Sequence, residues 1–342
     1  MSNLDKAFES INKKFGKGTI QMLGETPTIN ENLLSTGSLL IDQALGGGIG
    51  LNRITEIYGV ESSGKSTLAL HLAAECQKTG GKVAYVDVEN ALDIMYAKKL
   101  GVNVDELLFT QPSSAEEALD IVNILADTGD VRLIVVDSVA ALVPQAELDG
   151  EMGDVTIGLQ ARLMSKAMRK ITGTLNEKNC AVIFINQIRD KVSTGWSSGP
   201  SETTTGGRAL KFFASQRIEL RKSSAIKEGD KVIGNYVKVK IVKNKIAPPM
   251  RVVEIPLIFG KGFSGGDEVI DLAIDYNLIK KAGAWFDTHT GERIQGKAKV
   301  KEYYESHKEE YEDLRNMVID KLKGMEFEPE YELDKNGVVI DD

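Results

Sequence analysis

The sequence predicts an α/β fold, a mostly parallel central sheet covered by helices on both faces. Two observations carry this reading. Short apolar runs at 54–58, 82–87, 131–137 and 181–185 alternate with stretches of helical periodicity, the rhythm of strand–helix–strand units. The first run leads through a glycine-rich turn straight into the helix-former run Leu68-Ala69-Leu70-His71-Leu72-Ala73-Ala74. In such sheets ligands bind outside the carboxyl ends of the strands.

That strand–turn–helix unit is the most informative stretch. Gly59, Val60, Glu61, Ser62, Ser63, Gly64, Lys65 and Ser66, followed by Thr67, fit the pattern G-x-x-x-x-G-K-[ST] in full. In this context the pattern is a P-loop. Gly59 and Gly64 let consecutive N–H groups converge on phosphate oxygens, and the helix N-terminus adds partial positive charge. Lys65 is expected at the β- and γ-phosphates, and the Ser66 hydroxyl on Mg²⁺. The plainer alternative is a serine–glycine turn that happens to start a helix. The complete motif favours a nucleoside triphosphate.

Length and composition bound the rest. A chain of 342 residues, 42% hydrophobic and 27% charged, fits one large α/β domain with smaller appendages. No run approaches the length of a membrane span, and the N-terminal MSNLDKAFESINKKFGKG lacks the apolar core of a signal peptide. Cys76 and Cys180 lie far apart, so a cytoplasmic protein without a disulfide or metal site is expected. The net charge of −8 is uneven: residues 326–342 hold seven acids and one lysine. Local basic patches, not a global field, would have to hold any polyanion.

The elements follow in order. Residues 3–15 place Leu4, Phe8, Ile11 and Phe15 on one helical face, and Gly16-Lys17-Gly18 ends the helix. Joined by the polar stretch 25–32, it reads as an arm packing on its own domain or on a neighbouring subunit. Residues 35–49 end in glycines and lead into the P-loop strand. The strand 82–87 is followed by helices at 93–100 and 113–128, the second with a Ser-Ser-Ala-Glu-Glu cap. Residues 131–137, VRLIVVD, have the form of a Walker B strand, whose terminal Asp137 faces Mg²⁺ through water; a helix-capping acid is the alternative. The helix 158–175 places Leu159, Leu163, Ala167 and Ile171 on one face. Strand 181–185 ends in Asn186-Gln187.

Residues 189–207 form a long Gly/Ser/Thr-rich polar loop, and loops of that length are usually functional or disordered. The stretches 215–222 and 236–245 alternate as antiparallel strands, the second carrying Lys238, Lys240, Lys243 and Lys245. By pattern alone that row is a solvated strand face. The expected domains are an arm at 1–33, a core at 34–269, a small α+β domain at 270–325 containing a charged helix at 300–322, and an acidic tail at 326–342.

The strings GVESSGKS, LIVVDSVAAL, FINQIR, ETTTGG followed by ALKFFAS, VKNKIAPP and KAGAW, in this order, closely resemble the bacterial RecA recombinase family. The resemblance runs from the FGKG segment to about residue 325. It implies a P-loop NTPase core of RecA type that assembles as a helical filament on single-stranded DNA. Such a filament takes ATP with Mg²⁺ at subunit interfaces, pairs with homologous double-stranded DNA and exchanges strands. By the same resemblance, Glu89 is the carboxylate that activates the attacking water and Gln187 senses the γ-phosphate. Asp93 and Tyr96 lie around the adenine, and Lys243 and Lys245 reach the neighbour's ATP as arginine fingers do.

DNA contact is implied for the loops 149–159 and 189–207 and the helix between them. Arg162, Ser165 and Arg169 lie on that helix, although a solvated face is the plainer reading of its arginines. Arg189, Lys191, Val192, Trp196, Thr204, Thr205, Gly206, Gly207 and Arg208 lie in or beside the second loop. Ile157 and Val192 occupy the places where apolar side chains wedge between base triplets. Phosphate neutralisation gives affinity without sequence preference, and insertion sets strand geometry.

Val60 stands where most members have proline, Ser66 where most have threonine, Asn90 beside the carboxylate in place of histidine, and Phe259 where a tyrosine touches nucleotide. The second loop is about two residues longer than usual. These departures point to a divergent, phage-encoded or unusual lineage and leave rate and loop contacts open; the resemblance also brings a LexA-like repressor as a candidate partner. Two functions of different class follow: an ATP-driven strand-exchange enzyme, or a DNA-binding filament or regulatory paralogue with weak hydrolysis.

Overall fold

The computed structural model describes residues 3–16, 19–20, 33–151, 158–176, 178–190, 202–263 and 265–323. Helix α1 (Asn3–Phe15) has Asp5 in its first turn and Lys13 and Lys14 in its last, matching the helix dipole. None of its residues is buried: Leu4 and Phe15 on its apolar face are exposed, and Phe8 and Ile11 half-buried. Strands β1 (Leu33–Leu34) and β2 (Ile49–Gly50) pair antiparallel around α2 (Leu39–Leu45). The Ser38 hydroxyl caps α2 by accepting from Ile41 N at 3.2 Å.

The core then alternates as its periodicity predicts: β3 (Ile54–Gly59), α3 (Lys65–Lys78), β4 (Lys82–Asp87), α4 (Ile94–Lys99), β5 (Leu108–Thr110), α5 (Ala115–Thr128) and β6 (Val131–Asp137). After the short α6 (Gln145–Leu148) come α7 (Leu159–Leu175), β7 (Ala181–Asp190), β8 (Glu202–Thr204) and α8 (Ala209–Phe213). The long strands β9 (Gln216–Glu228), β10 (Lys231–Asn244) and β11 (Arg251–Ile258) and the short β12 (Gly262–Phe263) complete one sheet.

Its order is β12-β11-β10-β9-β3-β7-β6-β4-β5. From β9 to β5 every neighbouring pair is parallel, while β9 to β12 extend the sheet antiparallel. The central strands lack polar alternation because helices cover both faces. Leu133, Val135 and Ile185 pack under α3 with Leu68 and Leu72. Their neighbours Ile134, Val136 and Phe184 pack against α5 and α7 with Val122, Met168 and Ile171. The carboxyl ends align in register, with Gly59 opposite Gln187 and Asp87 opposite Asp137. That edge positions the candidate site.

On α7, Ala167 and Ile171 are buried with Met164, Met168 and Leu175, and Leu163 packs half-buried against the same cluster. Two expectations need correction. The strand ending in Gln187 runs on to Asp190 and pairs antiparallel with β8, Ile188 opposite Thr204. The long loop is therefore shorter at both ends than its composition implies. The single charged helix is two, α10 (Lys297–Ser306) and α11 (Lys308–Lys323). Between them His307 leaves the helical region, at φ −116° and ψ 70°, and the Ser306 hydroxyl donates to the Glu302 and Tyr303 carbonyls at 3.1 and 2.8 Å in the last turn of α10.

These helices pack with α9 (Gly265–Asp275) and the meander β13 (Lys280–Ala282), β14 (Trp285–Asp287) and β15 (Arg293–Gln295). Val269, Ile279, Phe286, Val300, Tyr304, Leu314 and Val318 form their own small core. Glu268 ties it to the main sheet domain by capping α2: its carboxylate accepts from Ser38 Oγ, Leu39 N and Leu40 N at 2.8, 2.9 and 3.1 Å.

Candidate nucleotide site and nucleic-acid interface

The P-loop closes tightly between β3 and α3. A Cβ at Gly59 would lie 2.1 Å from the Leu220 carbonyl oxygen of β9, so no other residue fits without moving that strand. Lys65 is buried, and its Nζ donates to the Val60 carbonyl at 2.8 Å across the loop. Burial pulls the Lys65 pKa below its ordinary value, against the opposing pull of Asp137, Glu89 and Glu61. An anion in the loop would relieve that cost. The Ser63 hydroxyl is buried with no hydrogen-bond partner among the described residues.

A cavity of about 360 Å³ opens beside the loop. One wall is the P-loop from Ser62 to Thr67 with Tyr96, whose hydroxyl lies 3.1 Å from Thr67 Oγ1. The other wall is Leu257, Ile258, Phe259 and Gly260. Asp93 caps α4 by accepting from Tyr96 N at 3.0 Å, which orients Tyr96. Phe259 is 56% exposed at the lip.

Asp137 ends β6, nearly buried, and its Oδ2 accepts from Ser66 Oγ and from Tyr85 Oη, both at 2.7 Å. Burial raises its pKa, and these two donors pull it back. Glu89 is held one turn away by its backbone. Val88 N and Glu89 N donate to the Asp137 carbonyl at 2.7 and 3.1 Å. Asp87 anchors the following turn by accepting from Ala91 N and Leu92 N at 3.2 and 3.3 Å. Asn90 takes the left-handed conformation, φ 55°, that asparagine tolerates. The exposed Glu89 carboxylate accepts from Ser138 Oγ and, at 2.9 Å, from Gln187 Nε2.

Lys243 and Lys245 do not join this group. Lys243 lies opposite Arg217, which lies opposite Glu56, three residues before Gly59 and toward the other end of the sheet. Lys243 Nζ donates to the Lys211 and Phe212 carbonyls at 3.0 and 2.9 Å, closing α8.

On α7, Arg162 and Arg169 are exposed. The Ser165 hydroxyl turns inward to the Ala161 carbonyl at 2.8 Å, and Arg169 Nε donates to the Ser165 carbonyl at 3.2 Å. The closing end of the second loop is brought beside them. A Cβ on Gly206 would lie 2.7 Å from Val139 Cγ1, and one on Gly207 2.8 Å from Ala161 Cβ, while both hold positive φ. Thr205 is tied to Asn186: its carbonyl accepts from Asn186 Nδ2 at 3.1 Å. Asn186 Nδ2 also donates to Glu56 at 2.9 Å, which pairs with buried Arg217 at 2.6 Å. Thr204 is half-buried and Arg208 exposed. Arg189 lies in β7, while Ile157, Lys191, Val192 and Trp196 fall outside the described residues.

Sequence reading missed Tyr85, Ser138 and the wall Leu257–Ile258–Gly260. Each meets the P-loop face only through the tertiary fold, so no local pattern marks it. The residues present fit a Mg²⁺–nucleotide: a lysine and an unpartnered buried hydroxyl in a glycine-lined loop, and a hydroxyl–carboxylate pair of hard oxygen donors. Among the described residues no helix is long and apolar enough to cross a membrane.

A family model described as the RecA N-terminal domain matches residues 2–264, and one described as the RecA C-terminal domain matches 267–323. The chain is 51% identical over 329 residues to Protein RecA of Chloroherpeton thalassium, covering 96% of this chain and 92% of that protein. Against Protein RecA of Chlorobaculum tepidum it is 50% identical, covering 95% and 93%. Against that of Lactiplantibacillus plantarum it is 50% identical, covering 93% and 83%. All three are bacterial proteins, which does not favour a phage origin.

Proposed function

The chain belongs to the RecA family, and on that footing we propose how it works. It is a DNA-dependent ATPase of recombination and repair that forms a filament on single-stranded DNA and drives homologous pairing and strand exchange. The P-loop and the 257–260 wall hold ATP, with Asp93 and Tyr96 beside its base. Lys65 supplies the cation for the β- and γ-phosphates, and Ser66 and Asp137 hold Mg²⁺. That ion, when bound, neutralises charge between the two phosphates. Glu89 takes the proton of the attacking water.

One observation carries the coupling of ATP to DNA: Gln187 Nε2 donates to Glu89 at 2.9 Å, and Gln187 stands at the foot of the β7–β8 pair that opens the second loop. A γ-phosphate oxygen competes for the same amide, so nucleotide state and loop position are linked. Arg162, Arg169 and Arg208 provide exposed charge for DNA phosphates, and Thr204, Thr205, Gly206 and Gly207 close the loop beside them. Arg189, Lys191, Val192, Trp196 and Ile157 complete the DNA surface by their match to the family's loops. Lys243 and Lys245, toward the far end of the sheet from their own P-loop, serve the ATP of the neighbouring subunit, and the apolar face of α1 suits packing on that neighbour. The family's partners extend to a LexA-like repressor, and two buried free cysteines, Cys76 and Cys180, suit the cytoplasm.

ATP hydrolysis with and without single-stranded DNA tests this reading. Hydrolysis should rise on DNA and vanish, together with calorimetric ATP binding, in Lys65→Ala. ATP affinity surviving in that variant would overturn the P-loop assignment.

A further inference from the structure

We propose that Tyr85 is a positioning residue for the Mg²⁺–nucleotide, its hydroxyl holding the Asp137 carboxylate in the orientation the metal requires. This rests on the nucleotide site proposed above. Tyr85 lies in β4 opposite Val135, two residues before the aligned pair Asp87 and Asp137. It is 1% exposed, and its ring belongs to the core under α3. From there the hydroxyl reaches the carboxyl end of the sheet and donates to Asp137 Oδ2 at 2.7 Å.

Packing alone does not call for that oxygen. Phenylalanine would fill the same core, whereas a buried hydroxyl adds a desolvation cost that only a partner offsets. Its partner here is the carboxylate expected to face the metal. The same Oδ2 takes a second bond from Ser66 Oγ at 2.7 Å, but Ser66 lies at the exposed start of α3 and is itself expected on Mg²⁺. Tyr85 does not line the cavity and is fixed by the core, so of the two donors among the described residues it is the one whose place does not depend on nucleotide. Two donors on one oxygen leave the carboxylate no free torsion. Partners that orient metal-binding groups in this way change metal affinity about 10–100-fold when removed.

The test is calorimetric titration of ADP into the full-length protein, in EDTA and across a Mg²⁺ series. Tyr85→Phe should bind metal-free ADP as the wild type does, yet need about 10–100-fold more Mg²⁺ for the metal-dependent gain in affinity. In an Asp137→Asn background, adding Tyr85→Phe should change nothing further, because the hydroxyl acts through that carboxylate. An unchanged Mg²⁺ series in Tyr85→Phe overturns the proposal. So does an equal added loss in the Asp137→Asn background. A Tyr85→Phe protein that melts early and loses affinity in EDTA as well assigns the hydroxyl to stability and overturns it too. Wild type that binds no ADP at all would instead refute the nucleotide site.

Discussion

Glu89 is exposed, yet its backbone is pinned to the end of β6 and its carboxylate is already engaged by Ser138 and Gln187. Held this way, the proposed base needs little reorganisation before it takes a proton from water. Glu89→Gln keeps the shape and the Gln187 contact but cannot accept that proton. ATP and DNA should bind normally while turnover falls by about 10²–10⁴-fold, measured by steady-state phosphate release. Unchanged turnover would move the base to Asp137 or a water chain. Lys65, Ser66 and Asp137 were legible in the sequence because local spacing writes them out. Tyr85 and Ser138 were not, since Tyr85 meets Asp137 52 residues away and only the β4–β6 register brings them together.

At the scale of elements, the core strands and helices followed from apolar runs and caps, and the errors fell where local backbone geometry and pairing intervene. The break at His307, whose backbone leaves the helical region at φ −116° and ψ 70°, divides a helix that charge patterning read as continuous. Pairing of β8 with β7 depends on Asn186 and Thr205 meeting across the loop, and no periodicity records that. Helix α2 carries the sharpest prediction. Asp42 is half-buried in its first turn, with Oδ1 accepting from Thr36 N and Oγ1 at 2.8 and 2.7 Å and Oδ2 from Ser35 Oγ at 2.5 Å. Burial first, opposed by those donors and reinforced by Glu268, raises its pKa from 3.8 to about 6. The folded state therefore holds this proton over a range where the unfolded chain has lost it. Stability contributed by Asp42 falls as pH rises through that window, and the loss is complete above about 6. Asparagine keeps the Thr36 bonds and can donate to Ser35. Asp42→Asn should thus gain on the wild type at pH 8 relative to pH 4.5, by up to about 2 kcal/mol, measured by urea unfolding. A pH-independent difference would show that Asp42 stays ionised when folded.

On the whole molecule, the proposed function is distributed between two ends of one sheet: the P-loop, Glu89 and Gln187 at the carboxyl ends, Lys243 and Lys245 toward the other. A single chain cannot bring the two together, and a filament of repeating subunits can. The sequence carried both halves through family strings, whereas their separation is visible only in the strand order. The acidic stretch 326–342, outside the described residues, concentrates most of the chain's net charge. It should compete with DNA for the basic surface, so its deletion should speed duplex uptake most at low salt, where screening is weak. Equal uptake rates across salt would leave it a solubilising extension.

Strand exchange between circular single-stranded DNA and linear duplex tests the central claim most directly, with wild type and Lys65→Ala compared in ATP and Mg²⁺. Joint molecules should form only with wild type, only with ATP and only when the duplex is homologous. Filaments that bind DNA and hydrolyse ATP yet pair nothing would contradict the account and identify a regulatory paralogue instead.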